Sequence, residues 1–459
     1  MSNCSLNVVL LSTYELGRQP FGLASPAAWL RREGAWVSCL DLAKQRLPEE
    51  PIRSADLVAF YVPMHTATRI AVRALERVKR LNPNAHICFY GLYAPGNESY
   101  LRKLGADTIL GGEFEPGLVS LLARLRRGSE GTPQPEPLIS LARQQFLVPD
   151  RSGLLPLSHY AQLHVGTGQH RIVGYTEASR GCKHFCRHCP IVPVYEGHFR
   201  IVQREVVLAD IRRQVAAGAQ HITFGDPDFF NGRGHALPLV EALHAEHPEL
   251  TYDVTIKIEH LVKHSEHLET LRDTGCLFVT SAVESVDDRV LARLNKGHTR
   301  GDFIQVARRS RSVGLTLAPT FVAFTPWTTL AGYLDLLWLL AQLDLIENVA
   351  PIQLAIRLLL PAGSKLLELA EVRAMVGEFD EAALSYRWRH RDPQVDELRV
   401  AVQELVKRAE SRQESRRQIF AKIWALAHEA AGLPRRELPA PEPGPPRAAI
   451  PYLNEPWYC

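Results

Sequence analysis

Short apolar runs recur along the first 130 residues, separated by longer stretches with helical character. Residues 7–11, 35–40, 57–62, 86–90 and 107–110 read as strands buried on both faces, because their apolar positions run on without alternating. Residues 27–33, 67–81 and 98–104 read as the intervening helices. Five strands and their helices predict a doubly wound, Rossmann-like domain over residues 1–130. A ligand of such a domain sits at the carboxyl ends of the strands. The loops there are residues 12–22, 63–66, 91–94 and 111–115.

A linker over residues 131–164 follows, marked by Pro133, Pro135, Pro137, Pro149 and Pro156. A second alternation then starts, with strands expected at 172–177, 220–225, 252–258, 277–283, 315–321 and 351–356, and helices such as 204–217 and 303–313 between them. Six strand–helix units predict a partial (β/α)6 barrel over residues 165–360, with its chemistry at the carboxyl ends of the strands. Residues 361–435 read as a mostly helical region, including one long helical stretch at 396–425, and residues 436–459 as a proline-rich tail. The fold class is therefore α/β throughout, with a helical C-terminal region.

Composition narrows the function. At 459 residues, 46% hydrophobic and 22% charged, the chain can bury a large core. Its 53 basic and 50 acidic residues give a net charge of +3, which makes no electrostatic case for nucleic acid or an anionic membrane. No apolar run approaches the about 18 residues of a membrane span, and no basic signal-peptide start precedes the first strand. Eight cysteines suit a reducing compartment. A cytoplasmic protein acting on a small molecule is the expectation.

Three of the cysteines carry the chemistry. Cys182, Cys186 and Cys189 form a C-x3-C-x2-C cluster directly after the first strand of the expected barrel. Three thiolates on one loop can hold three corners of a four-iron four-sulfur cluster and leave the fourth iron open to an outside ligand. A zinc site of three sulfurs and one imidazole, from His184 or His188, is the competing chemistry and would make the chain a zinc-stabilised binding protein. No second C-x2-C or paired-histidine knuckle accompanies the loop. A cluster serving electron transfer alone would normally have a fourth cysteine nearby, and none is there.

Over about residues 165–360 the chain resembles the radical S-adenosylmethionine (SAM) superfamily, whose signature is this loop after the first barrel strand. His188 stands where that family usually has an aromatic residue. The resemblance implies that SAM chelates the open iron and that an electron donor such as flavodoxin or ferredoxin feeds the cluster. It also implies positioning roles for residues at the strand ends: Gly225, Asp226 and Asp228 after the second strand, Lys257 and Glu259 after the third, Glu284 and Ser285 after the fourth. An acceptor near the SAM ammonium makes physical sense.

The N-terminal domain resembles the cobalamin-binding type that precedes the barrel in one branch of the family. The loop at 15–22 lacks the D-x-H-x-x-G motif that supplies a histidine to cobalt, so bound cobalamin would lack that ligand. Across almost the whole chain the likeness is to the CUAEP/CCAEP-tail radical SAM proteins, through Tyr175 to Cys182 and Pro456 to Cys459. Their tail continues past this cysteine with selenocysteine or cysteine, so the expectation is a chain shortened at a selenocysteine codon, with Cys459 catalytic. Adjacent soft donors suit a thiophilic acceptor such as arsenic, which would receive a 3-amino-3-carboxypropyl or methyl group. Cobalamin-dependent methyl transfer to a carbon or phosphorus centre is the alternative.

Overall fold

A computed structural model describes residues 5–127, 135–165, 169–439 and 452–453. Strands β1 (Asn7–Ser12), β2 (Trp36–Asp41), β3 (Leu57–Tyr61), β4 (His86–Tyr90), β5 (Thr108–Gly112) and β6 (Ile139–Ser140) form one parallel sheet in the order β2-β1-β3-β4-β5-β6. Neighbouring residues of each strand point to opposite faces, and each face has its own core. Val9, Leu11, Val58, Phe60, Ile87 and Phe89 pack on one side. Val8, Leu10, Leu57, Ala59, Cys88 and Tyr90 pack on the other. That two-sided burial is why the runs read as continuous rather than alternating.

The second sheet adds β7 (Gln162–His164), β8 (His170–Thr176), β11 (His221–Phe224), β12 (Thr251–Thr255), β13 (Cys276–Glu284) and β14 (Thr316–Phe321). Its order is β14-β13-β12-β11-β8-β7-β17, where β17 is Tyr452–Leu453. Strands β8 and β11 to β14 are mutually parallel, while β7 and β17 pair antiparallel at the edge. Two further short strands, β9 (Ser179–Gly181) and β10 (Phe199–Ile201), form a separate hairpin after β8. The result is a half-barrel with helices outside, as expected.

Several boundaries differ from expectation. Residues 351–356 do not form a sixth strand; Pro351–Ala355 is a 3-10 helix, and the pairing shrinks to a single parallel bridge between Phe324 and Arg357. Pro351 has no N–H for a ladder, and the Gln353 side chain instead accepts from the Phe321 backbone N–H at 3.1 Å. The long helix expected at 396–425 is two, Pro393–Ser411 and Arg416–Ala430. Gln413 between them has φ 56°, and Ser415 starts the second helix with a capping box to Gln418. The C-terminal region also holds a hairpin of β15 (Val376–Asp380) and β16 (Ser385–Trp388). The stretch read as linker supplies β6 to the first sheet and β7 to the second.

Arg151, from that stretch, ties the two sheets together. Its guanidinium donates to both oxygens of Asp210 at 2.9 and 2.8 Å, to Gln19 Oε1 at 2.8 Å and to the Tyr175 carbonyl at 2.6 Å. Asp210 is fully buried, so its charge depends on that partner. Arg151→Ala is expected to cost about 3–5 kcal/mol, read as a fall in the urea midpoint with the slope unchanged. A midpoint within error of the wild type would show that the clamp carries no such weight.

Candidate active site around the cysteine loop

The loop is built by its flanking strands. β9 and β10 pair antiparallel, Phe199 opposite Gly181 and Ile201 opposite Ser179, which closes residues 182–198 into one excursion at the carboxyl end of β8. Gly181 has φ 75°, and a Cβ there would lie 2.4 Å from the Tyr195 ring and 2.5 Å from the His198 carbonyl. Only glycine fits that turn. Inside the excursion, the Cys182 N–H donates to His198 O and the Cys189 N–H to Cys186 O, both at 3.1 Å. The Arg187 N–H donates to Leu294 O at 2.9 Å, and its guanidinium to the Arg293 carbonyl at 2.9 Å. The loop is thus pinned to the C-terminal end of the helix Asp288–Leu294, which follows β13.

Cys182, Cys186 and Cys189 are free thiols. Burial, reinforced by the sulfurs of Cys186 and Cys182, pushes the Cys189 thiol up to about 12. Burial also raises Cys182. Such thiols ionise only when a cation takes up the charge, which suits them to an iron–sulfur cluster. A single zinc ion fits poorly. Zinc–sulfur bonds of about 2.3 Å bring tetrahedral sulfurs within about 4 Å of each other. Among the described residues, the one trio of metal-ligating side chains with all ligand atoms within 4.8 Å is His184, Asp228 and His260, which contains no cysteine. Both loop histidines face carboxylates instead: His188 Nε2 lies 3.0 Å from Glu284 Oε1, and His184 lies 3.2 Å from Asp228 and 3.5 Å from Glu259.

The strand-end residues divide by what they touch. Gly225 leaves room for Tyr175, whose hydroxyl would sit 1.8 Å from an added Cβ. Asp226 is buried with both oxygens engaged, accepting from the Ala178 N–H at 2.9 Å and the Ser179 hydroxyl at 2.5 Å. It holds the entry to the loop. Asp228 and Glu259 reach His184, and Lys257 Nζ donates to Glu259 at 3.0 Å. Glu284 has φ 69°, a left-handed conformation costly for a side chain of its kind. Burial raises its pKa, but Lys296 and His188 outweigh that and bring it to about 2, so it stays ionised. Ser285 accepts from the Asp287 N–H at 3.1 Å and serves its own turn. Cys459 lies outside the described residues.

Arg180 was not singled out from the sequence, yet it joins the two domains at this loop. Its buried guanidinium meets Glu115 in two contacts at 2.8 and 2.9 Å, Glu177 at 2.7 Å and Glu113 at 3.5 Å. The rings of Phe21, Phe114 and Phe146 surround it at 5.8, 5.3 and 5.1 Å. Glu113 and Glu115 come from the Gly111 to Glu115 turn of the first domain. The only sequence signal was an arginine directly before Gly181 and Cys182.

Residues 176–326 match the radical SAM superfamily. The match runs from the end of β8 to just past β14, so the half-barrel is what resembles that superfamily. Hopanoid C-3 methylase of Methylococcus capsulatus is 24% identical over 322 residues, covering 67% of this chain and 62% of that protein. The chain thus spans less than two thirds of that relative's length. Among solved structures, the cobalamin-dependent SAM radical enzyme OxsB, with aqua-cobalamin and SAM bound, superposes with a TM-score of 0.69 at 14% identity, over 88% of this chain and 67% of OxsB. The radical SAM methyltransferase TsrM of Kitasatospora setae, with tryptophan and a SAM analogue, gives 0.62 at 18% identity, over 80% and 76%. These likenesses place the two-domain fold. No described helix is long and apolar enough to cross a membrane.

Glu113 makes the domain junction sensitive to pH. Burial, with Glu115 beside it and Arg180 opposing, raises its carboxyl from 4.5 to about 7. A raised folded pKa means that the unfolded chain loses its proton first, so stability falls as pH rises from about 4.5 to about 7. Glu113→Gln is expected to shrink the drop in melting temperature between those pH values. An unchanged drop would show that Glu113 ionises as freely in the folded protein as in the unfolded one.

Proposed function

We propose that Cys182, Cys186 and Cys189 hold a [4Fe–4S] cluster, that SAM binds at the barrel mouth beside it, and that the enzyme transfers a SAM-derived methyl group with the help of cobalamin. The observation that carries this reading is the loop itself: three free thiols and no fourth, pinned at the carboxyl end of β8. The cluster, when bound, supplies the electron that breaks a carbon–sulfur bond of SAM. Glu284 is the residue that would accept from ribose hydroxyls, since it stays charged and both His188 and Lys296 use its Oε1, leaving Oε2. Glu259, paired with Lys257 and partly exposed, is the carboxylate that would accept from the SAM ammonium.

Cobalamin is supported by the fold and by a cleft between the domains. Tyr93, Gly96 and Asn97, from the loop after β4, face His188 and Cys189 across it. Asn97 Oδ1 is buried there without a hydrogen-bond partner. The room is about 150 Å³, or about 620 Å³ with the open mouth counted, and a corrin requires the walls to part. His188, the one imidazole lining the cleft among the described residues, is held by Glu284.

A second reading, transfer of a 3-amino-3-carboxypropyl group to a thiophilic acceptor such as arsenic, draws on the course of the tail. β17 pairs antiparallel with β7, which pairs antiparallel with β8, so β17 runs in the direction of β8 toward the cysteine loop. Cys459 is six positions beyond Leu453 in the sequence, a reach of up to about 20 Å. The relatives give this transfer no support.

Two measurements test these readings. Anaerobically reconstituted protein should hold about four irons and four sulfides and cleave SAM with a strong reductant, and Cys186→Ala should lose both the cluster and the cleavage. Iron unchanged in that variant would remove the cluster from these cysteines. The by-product of turnover then separates the two transfers. Methyl transfer leaves S-adenosylhomocysteine and requires added hydroxocobalamin, whose cobalt should show no protein imidazole in its paramagnetic resonance spectrum. Methylthioadenosine formed without cobalamin, with arsenite as acceptor and lost in Cys459→Ser, would establish the second reading instead.

A further inference from the structure

We propose that His184, Asp228 and His260 form a binding site for one divalent first-row transition metal ion, separate from the cluster cysteines. The three side chains come from three elements: the cysteine loop, the turn after β11, and the helix Ile258–Lys263 after β12. His260 Nδ1 lies 2.7 Å and His184 Nε2 3.2 Å from Asp228 Oδ2, and all three atoms are within 4.8 Å of one another. Each of the three atoms is buried, and although Asp228 Oδ2 lies at ion-pair distance from both imidazoles, neither nitrogen meets it at a good hydrogen-bond angle. Three ligand atoms gathered this closely on two imidazoles and one carboxylate can share one ion.

The other end of two of these ligands is already committed. Asp228, 1% exposed, uses Oδ1 to accept from the Phe230 N–H at 3.2 Å, capping the short helix Phe229–Gly232, and keeps Oδ2 for the site. His184 turns Nδ1 toward Glu259 Oε2 at 3.5 Å, the carboxylate behind the imidazole that fixes a metal-binding tautomer. Lys257 in turn holds Glu259. The His184 and His260 rings stand 4.7 Å apart at 60°.

The donor set selects the ion. Two imidazoles and one carboxylate suit Zn(II) or Fe(II), and the hard Ca(II) and Mg(II) prefer all-oxygen sites. Metal–ligand bonds of about 2.0–2.2 Å put such ligand atoms about 3–3.5 Å apart. The distances to Asp228 are close to that range. Three protein ligands leave coordination positions for water or a substrate oxygen or nitrogen. His184 is two residues from both Cys182 and Cys186, so the ion would sit beside the cluster and could orient a chelating substrate there. Asp228 is then a metal ligand rather than a partner of the SAM ammonium.

The site does not depend on how the cysteines are used, and the test keeps the two apart. Full-length, cluster-loaded protein is equilibrated with zinc alone, and zinc, iron and sulfide are counted per chain. One zinc is expected, with nitrogen and oxygen neighbours at about 2.0–2.1 Å in its X-ray absorption spectrum. His260→Ala and Asp228→Asn should each weaken zinc binding by about tenfold or more with iron and sulfide retained. Cys186→Ala should lose iron and keep zinc. Equal zinc in wild type and His260→Ala, or sulfur neighbours at about 2.3 Å, would overturn the proposal, as would no bound zinc in the wild type. If His260→Ala fails to fold, the ligand spectrum of the wild type decides.

Discussion

The buried guanidinium of Arg180 is the contact on which the site depends. It sits one glycine before Cys182, and its strongest partner, Glu115, belongs to the other domain. Three carboxylates around one cation would repel each other without it, and burial removes the water that could screen them. Burial and that repulsion already hold Glu113 at about 7, while Arg180 outweighs burial at Glu115 and keeps it ionised. The cluster loop and the strand ends of the first domain are therefore fixed by one network. Lysine could not replace the arginine, because the planar fork meets Glu115 with two nitrogens while a third faces Glu177.

A second tier of contacts orients the loop from the barrel side. Each histidine between the cysteines is taken by a carboxylate at a different strand end: His188 by Glu284 after β13, His184 by Asp228 after β11. This accounts for histidine at position 188, where an aromatic ring is usual in the family. An imidazole can pack like a ring and also bond an ionised carboxylate. Glu284 adopts a left-handed backbone to make that contact, at the point where the register between β13 and β14 slips. Strain of this kind persists only where surrounding contacts over-determine it, and here Lys296 and His188 do so from two sides.

The central strands of the first sheet were legible in the sequence because they are buried on both faces, so unbroken apolar runs marked them. Elements failed where a local exception outweighed the pattern. The apolar run at 351–356 looks like a strand, but Pro351 cannot donate and Gln353 supplies its own side chain to β14. The long C-terminal helix splits at a positive-φ Gln413, a conformation that side chains rarely announce. The cysteine spacing gave the loop and its place after β8. It could not give Arg180, whose partners lie 65 and 155 residues away at Glu115 and Ser25. Nor could it place His260, a residue on an ordinary helix until the fold sets it against Asp228.

The two histidines of the loop therefore have different fates, and the difference follows from what sits opposite each. His188 faces an ionised glutamate that already has a lysine, and its Nε2 makes a hydrogen bond to that carboxylate while its Nδ1 is buried without a partner. His184 faces an aspartate whose second partner is another imidazole, and none of these three buried polar atoms meets another at a good hydrogen-bond angle. Burying unpaired polar atoms is unfavourable by a few kcal/mol, and a fold keeps such a cluster when something else satisfies it. At the barrel mouth, beside thiols that themselves need a cation, the cheapest satisfaction for two imidazole nitrogens and a carboxylate oxygen is a metal ion.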